Sequence, residues 1–267
     1  MQQNQAAPAE WKNYEDFASG IATNRLPASP ALIGQTLQLN LPDFRLSLKA
    51  LSLHRLQWQE QGARGGSGED VYEAVEVAPD TFFIDLLQAA RPQEALTLIV
   101  NLRSHRVLAV RCRVISADEA AGQPRVPQDF WVGSLGDDPA LLSGPVPAPS
   151  RDLIGLRTFQ TYSPEHTYEH SYLSSTRYAW QCLVGVQRGH GDVDLASYYK
   201  FDEDQYIFTF REFIIPVASV FFFNFASGRS TGKFLGLTGA GEIANNPAGA
   251  FMRLASRTEY PADAAPV

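Results

Sequence analysis

Short runs in which apolar and polar positions alternate fill most of this chain. In the first half they are RLSLKALSLHRLQWQ, YEAVEV, TFFIDLL, ALTLIVNL and RVLAVRCRVI. In the second half they are TYEHSYL, RYAWQCLVGV, ASYYKF, QYIFTFRE, ASVFFFNF and RSTGKFLGL. A strand sends successive side chains to opposite faces, so a period of two, rich in aromatic and β-branched residues, predicts strands. The glycine-rich GARGGSGED, residues 62–70, reads as a hairpin connection. A different period occurs only at the front, where Trp11, Tyr14, Ala18 and Ile21 stand at i, i+3, i+7 and i+10. That spacing predicts one short amphipathic helix with its apolar side packed on whatever follows.

The pattern also repeats. Leu32-Ile33-Gly34 recurs as Leu153-Ile154-Gly155, and Trp58 has a counterpart in Trp180. DTFFIDL (80–86) matches DQYIFTF (204–210), and LIVNLRSHR (98–106) matches VFFFNFASGR (220–229), with Asn101 opposite Asn224. The offsets stay within a few residues of one another and the elements keep their order, so two copies of one unit is the better account. Many short strands with turn chemistry between them predict up-and-down barrels. The expected fold is therefore all-β, with two tandem calycin- or lipocalin-like barrels and a short N-terminal helix closing one mouth. The expected division is a helical segment over 1–30, a barrel over 31–116, a Pro/Gly-rich linker over 117–150 and a second barrel over 151–260. Phe130, Trp131 and Leu135 within the linker are expected to dock on something.

Composition narrows the classes. Of the 267 residues 45% are apolar and 19% charged, which excludes a disordered chain or a fibre. The net charge of −7, with no basic run, argues against a nucleic-acid partner. No apolar stretch approaches the roughly 18 residues that span a bilayer, and MQQNQAAPAEWK lacks the features of a signal peptide, so no membrane partner is expected. Cys112 and Cys182 lie within strands of different halves and are expected to be buried free thiols, which points to a reducing cytoplasm. The oligomeric state stays open.

Candidate chemistry gathers in the second half. Tyr168, His170 and Tyr172 share a strand face, where a dry core would use Val, Ile and Leu. Such a row suits the wall of a ligand cavity. Glu212 ends the aromatic strand YIFTFRE on the face of Phe208 and Phe210, where burial would raise its pKa into the range useful for proton transfer. Trp180 and Tyr198 are expected as cavity wall, Lys200 shares the face of Tyr198, and His190 lies on the RGHGD loop. His166 and His170 with Glu169 carry a metal-like spacing only on a helix, and Pro164 with the tyrosine alternation argues for a strand, so no metal is expected. No GxSxG serine and no dinucleotide fingerprint occurs, which sets aside nucleophilic hydrolases and nicotinamide enzymes. The first copy has LSLKALSL where the second has its tyrosine row, and is expected to be structural or a weaker pocket.

LIGLRTFQTYSPEHTYEHSYL, RYAWQCLVGVQRGHGD, YYKFDEDQYIFTFRE and STGKFLG, with the weaker first copy, resemble the molybdenum cofactor biosynthesis protein F family over roughly residues 30–255. That resemblance implies an N-terminal and a C-terminal lipocalin-like domain. The order IG, TY, YE, FTFRE in the second half is also similar to the phenolic acid decarboxylases, small barrels that use no cofactor. By that likeness Tyr162 is a substrate-holding tyrosine, Arg188 the assisting arginine and Glu212 the proton donor, while Gln160 stands where those enzymes have a further tyrosine. The expectation is a cofactor-independent acid/base enzyme (a lyase, isomerase or cyclase) acting on a small apolar or aromatic metabolite. Glu212, Tyr162 and His170 would be catalytic, with Tyr168, Tyr172, Trp180, Arg188, His190, Tyr198 and Lys200 binding. The rival expectation is a carrier that binds such a metabolite without changing it.

Overall fold

The computed structural model describes residues 13–267. A one-and-a-half-turn helix, α1 (Tyr14–Ala18), comes first. Eight strands follow: β1 (Thr36–Asn40), β2 (Phe44–Ala50), β3 (Arg55–Gly62), β4 (Gly66–Ala78), β5 (Thr81–Leu87), β6 (Glu94–Asn101), β7 (Arg106–Arg113) and, after the short helix α2 (Ala117–Ala120), β8 (Gln128–Leu135). Each pairs antiparallel with the next, and Leu39 and Asn40 of β1 meet Leu135 and Ser134 of β8, closing the first barrel. A two-residue strand, β9 (Ala148–Pro149), leads to the second set. This comprises β10 (Leu156–Ser163), β11 (His166–Ser174), β12 (Arg177–Val184), β13 (Gly191–Asp202), β14 (Gln205–Arg211), β15 (Val217–Asn224), β16 (Arg229–Leu237) and β17 (Ile243–Arg257). Strand β10 pairs with both β11 and β17, and β12 with β13, so this sheet also closes, with β9 added beside β13.

The all-β tandem-barrel expectation holds. The division into segments needs two corrections. Residues 128–135, read as linker, are the strand that completes the first barrel: Phe130 and Trp131 lie opposite Val110 and Ala109 of β7. Their run was masked by the Pro/Gly-rich sequence on either side. The front segment, in turn, groups with the second barrel, as do residues 114–127. Trp11 lies outside the described residues, and the helix ends at Ala18, before Ile21. The glycine-rich connection is also shorter than expected, because β3 runs to Gly62 and β4 starts at Gly66.

The internal repeat is confirmed in its details. Strand order and pairing are the same in the two barrels. Gly34 and Gly155 both have a positive φ, of 80° and 85°, and donate their N–H to Ala50 O and Tyr172 O at 2.8 Å each. Asp80 and Asp204 hold φ of 57° and 56° in equivalent tight turns, a conformation that costs Asp less than most residues. Asn101 accepts N–H bonds from Arg103 and Ser104, and Asn224 accepts one from Ser227, so each organises the hairpin after its strand. Trp58 and Trp180 both donate their indole N–H to an aspartate, Asp70 at 2.7 Å and Asp194 at 2.9 Å.

The interiors differ. Leu37, Leu39, Leu46, Leu48, Leu98 and Val107 fill the first barrel with aliphatic side chains. Rings fill the second, from Tyr172, Tyr178 and Tyr198 to Phe208, Phe221 and Phe223. Gly232 of β16 makes room for one of them: a Cβ there would stand 2.4 Å from the Phe221 ring. Threaded through these rings is a polar chain in which Ser230 Oγ donates to Gln160 Oε1, Gln160 Nε2 to Thr158 Oγ1, and Thr158 exchanges a bond with the Tyr172 hydroxyl. The strand registers give the first barrel Val107, Leu39, Leu37 and Ala50 at the matching places.

Candidate functional site

The up-and-down course of the second barrel brings one set of strand ends together: the close of β10, β12, β14 and β16 and the start of β11, β13, β15 and β17. Residues 13–25 cross this end. Tyr14 donates its hydroxyl hydrogen to Phe234 O at 2.8 Å and accepts from Asn246 Nδ2 at 3.0 Å. Gly249 N donates to Ile21 O, and Asn24 donates to Tyr162 O and Thr161 O. Phe17 and Ile21 thereby face inward over a cavity of about 30 Å³. Its walls are Tyr162, Tyr168, His170, Tyr178, Trp180, Gln187, Phe210, Glu212 and Phe234. That volume holds about two water molecules.

Among the described residues no lysine or arginine borders this cavity. Glu212 is buried, and its carboxyl makes no hydrogen bond among the described residues. Burial in the first place, with Asp194 and Asp192 adding like charge, pushes its pKa well up. Tyr162 and Tyr178 are buried, and their hydroxyls likewise have no partner among the described residues. Burial raises both phenols. The Tyr168 hydroxyl donates to Gln187 Oε1 at 2.7 Å. The site is thus a set of groups whose proton-bearing forms burial favours, in an aromatic shell.

His170 packs edge-on against Tyr178 with ring centroids 5.4 Å apart, and its Nδ1 is buried without a partner. Burial lowers its pKa to about 3, so the imidazole is neutral at ordinary pH. This makes a prediction with a definite sign. The unfolded chain takes up a proton near 6.5 and the folded chain does not, so stability present above that pH is lost as pH falls through about 3. Leucine occupies the equivalent place in the first barrel, at Leu48. His170→Leu is expected to flatten the acid-side loss of melting temperature between about pH 6.5 and 4, measured by calorimetry. An unchanged acid slope would refute the buried, neutral imidazole.

The other candidates divide. Tyr162, Tyr168, His170, Trp180 and Glu212 come together at the cavity as the sequence suggested. Tyr172 and Tyr198 face inward but deeper: Tyr172 bonds Thr158, and Tyr198 donates to Arg177 O, so both are core and not wall. Lys200 shares the parity of Tyr198 but lies at the other end of β13, where its ammonium is exposed and pairs with Asp152 at 2.6 Å. Parity fixes the face of a strand and leaves open which end of the barrel a residue serves. Arg188 is exposed on the loop after β12, and His190 is half-buried there, its carbonyl accepting from Cys182 N. Neither borders the cavity. Gln160 belongs to the internal polar chain.

Sequence reading gave no site role to Tyr178, Gln187 or Asp194. Asp194 is 1% exposed, points inward from β13, and takes hydrogen bonds from Trp180 Nε1 at 2.9 Å and Phe213 N at 3.3 Å. Burial raises its pKa to about 7, with Asp192 adding to the rise and Trp180, Phe213 and Arg177 opposing it. The alternation GDVDLASYY does place Asp194 on the face of Ala196 and Tyr198, so the signal was present. Among the described residues no cluster of three His, Cys, Asp or Glu side chains stands ready to hold a metal ion.

Comparison with known proteins matches both halves. The model of the MoaF N-terminal domain matches residues 9–116, and that of the MoaF C-terminal domain residues 147–258. Protein MoaF from Klebsiella aerogenes is 34% identical over 201 residues, covering 71% of this chain and 75% of that protein. Similarity to solved structures is slight: a putative beta-lactamase from Burkholderia vietnamiensis aligns with 39% of this chain and 95% of its own at 14% identity and a TM-score of 0.33.

Proposed function

The chain belongs to the MoaF family, and from that premise we propose that its second barrel is a cofactor-independent acid/base catalyst for a small apolar or aromatic metabolite. One observation carries the reading. Glu212 is a buried carboxyl that lines an aromatic cavity, with neither a cation nor a hydrogen-bond donor among the described residues to hold it charged. A group so placed keeps its proton at neutral pH and can hand it to a ligand atom. Tyr162 and Tyr178 offer two further hydroxyls to an oxygen that gains charge during the reaction. The reaction is then a lyase, isomerase or cyclase step, needing a proton donor and an oxygen cradle and nothing else.

The lack of a facing cation among the described residues favours a carbonyl or phenol over a free carboxylate as the group bound. A carboxylate in this setting would be desolvated without compensation. With about 30 Å³ of room, any such ligand enters by displacing the segment that carries Phe17 and Ile21. The two buried cysteines Cys112 and Cys182, neither in a disulfide, suit a reducing cytoplasm.

The carrier reading has the enclosed, ring-lined interior in its favour, since such interiors hold apolar ligands without acting on them. Native mass spectrometry of gently purified protein separates the two. A retained small molecule is expected. It should leave chemically changed after incubation with excess of the same compound, as isomer, fragment or cyclised product by chromatography. Recovery of the compound unaltered after many hours would favour the carrier.

A further inference from the structure

Glu212 follows β14, and the β13–β14 register runs Ala196 to Phe210 and Leu195 to Arg211. The ladder ends there, and Asp194 and Glu212 are the next residues along the two chains. Phe213 N, adjacent to Glu212, reaches Asp194 Oδ1 at 3.3 Å, and Asp194 acts on Glu212 as a like charge, so the two carboxyls are neighbours. Both are buried. Their surroundings are unequal. Asp194 is fixed by an indole N–H and a backbone N–H, donors that favour its charged form, and Glu212 has no hydrogen-bond donor among the described residues.

The first barrel supplies an internal comparison. There Trp58 and Asp70 repeat the Trp180–Asp194 pair, but the residue matching Glu212, one past Leu87 of β5, is Gln88. Gln88 is buried and takes a bond from Arg91, which also pairs with Glu60 at 2.7 Å. That barrel keeps the held aspartate and lacks the titratable partner.

We infer that Asp194 is the positioning partner of Glu212: pinned by the Trp180 indole, it ionises first and keeps the remaining proton of the pair on Glu212, facing the cavity. The inference rests on the acid/base reading and names the residue that sets the working pH of that acid. It also makes Trp180 more than cavity wall, because its N–H decides which of the two carboxyls ionises first. Other groups face the pair from neighbouring strands: Tyr162 on β10, Tyr168 and His170 on β11, Arg177, Tyr178 and Cys182 on β12, and Asp192 on β13. Of these, Asp192 and Arg177 act on Asp194 in opposite senses, and on Glu212 the Asp192 contribution is smaller than that of Asp194.

Infrared difference spectroscopy across a pH titration tests this on the intact protein, with the proton itself as probe. The wild type is expected to lose its buried-carboxyl bands in two coupled steps. In Asp194→Asn a single band should remain, its midpoint lowered by about one pH unit or more, the size at which two sites count as coupled. Trp180→Phe removes one hydrogen bond and keeps the ring, so it serves if Asp194→Asn folds poorly. There Asp194 holds its proton longer and the Glu212 step should again fall. Glu212→Gln should leave one band, that of Asp194, with its midpoint close to the first wild-type step. A Glu212 midpoint indifferent to both Asp194→Asn and Trp180→Phe would overturn the pairing, whatever the activity. Coupled midpoints with full turnover in Glu212→Gln would leave the pair standing and remove only the catalytic reading.

Discussion

Glu212→Gln is expected to lower turnover of the metabolite by about 10²–10⁴, the usual contribution of a positioned acid or base, while making the protein more stable above neutrality. The first effect follows because glutamine keeps the shape of the side chain and cannot carry the proton. The second follows from linkage. Burial and like charge raise the Glu212 pKa in the fold above its ordinary 4.5. Its favourable contribution is complete below about pH 4.5 and is lost as pH rises through the folded midpoint, because the unfolded carboxyl ionises freely there. Glutamine has no such loss. Melting temperatures of wild type and variant should therefore coincide near pH 4 and separate by about pH 8, with the variant higher. Opposite signs on activity and stability mark a residue kept for its chemistry at a structural cost. Gln88 shows that this fold accepts a buried amide at the equivalent position. Retained turnover in Glu212→Gln would sink the acid/base assignment. Lost turnover with no gain in alkaline stability would mean that the carboxyl is better solvated than its burial implies.

The residues explain why the fold was more legible than the site. A period of two is a local property, and it survives in nearly every strand, so the barrels and their repeat could be read directly. The strands not among the runs read from sequence include β1, β8, β10 and β17. Strand β8 carries Phe130, Trp131 and Val132 but is flanked by Pro127 and Gly136, which made it read as linker, and β17 carries Asn245, Asn246 and Pro247 in its first half, which breaks the pattern that marked the rest. The inward face of β11 was legible for the same reason, which is why Tyr168 and His170 were found. What alternation cannot encode is depth along the barrel. Tyr198 and Lys200 share a face, yet Lys200 belongs to the far mouth beside Asp152, and Tyr172 lies below the cavity that Tyr168 borders. Nor does it encode which strands become neighbours on closure. Asp194 gained its meaning only when β13 was placed between β12 and β14, bringing it to Trp180 and Glu212. Asp194 and Asp192 look alike in sequence, as two polar residues of one strand.

Phe208→Ala is expected to destabilise the second barrel by about 3–5 kcal/mol, the range for removing a fully buried phenylalanine. Phe208 is wholly buried, and six rings surround it: Tyr178 at 4.9 Å, Phe223 at 5.2 Å, Tyr172 at 5.3 Å, Tyr198 at 5.7 Å, and His170 and Phe210 at 5.8 Å. Two of these pairs, with Tyr172 and Tyr178, are edge-to-face and two, with Tyr198 and Phe223, are stacked, each worth about 0.5–1.5 kcal/mol beyond its buried area, so the variant loses contacts as well as hydrophobic transfer energy. The strands that carry those rings are tied into a closed barrel and cannot collapse into the gap, which places the cost toward the upper end. At about 2–4 °C per kcal/mol for a unit of this size, the second barrel's melting transition should fall by about 6–20 °C. The first barrel's transition should stay in place if the two units unfold separately. Leu254→Ala, at a side chain 48% exposed, is the control and should stay within about 0.5 kcal/mol of wild type. The hole left by the ring is lined almost wholly by other rings, so it should remain dry and bind benzene, as apolar cavities of that kind do. Added benzene should restore part of the lost melting temperature in Phe208→Ala and none in wild type. The consequence reaches the site, because His170 and Tyr178 rest on Phe208 from the cavity side. Turnover in the variant should therefore fall well below wild type at temperatures where it is still folded, and benzene should recover some of it. A loss of less than about 1 kcal/mol would show that these rings repack freely and that the tyrosines of the cavity are not held by the core beneath them.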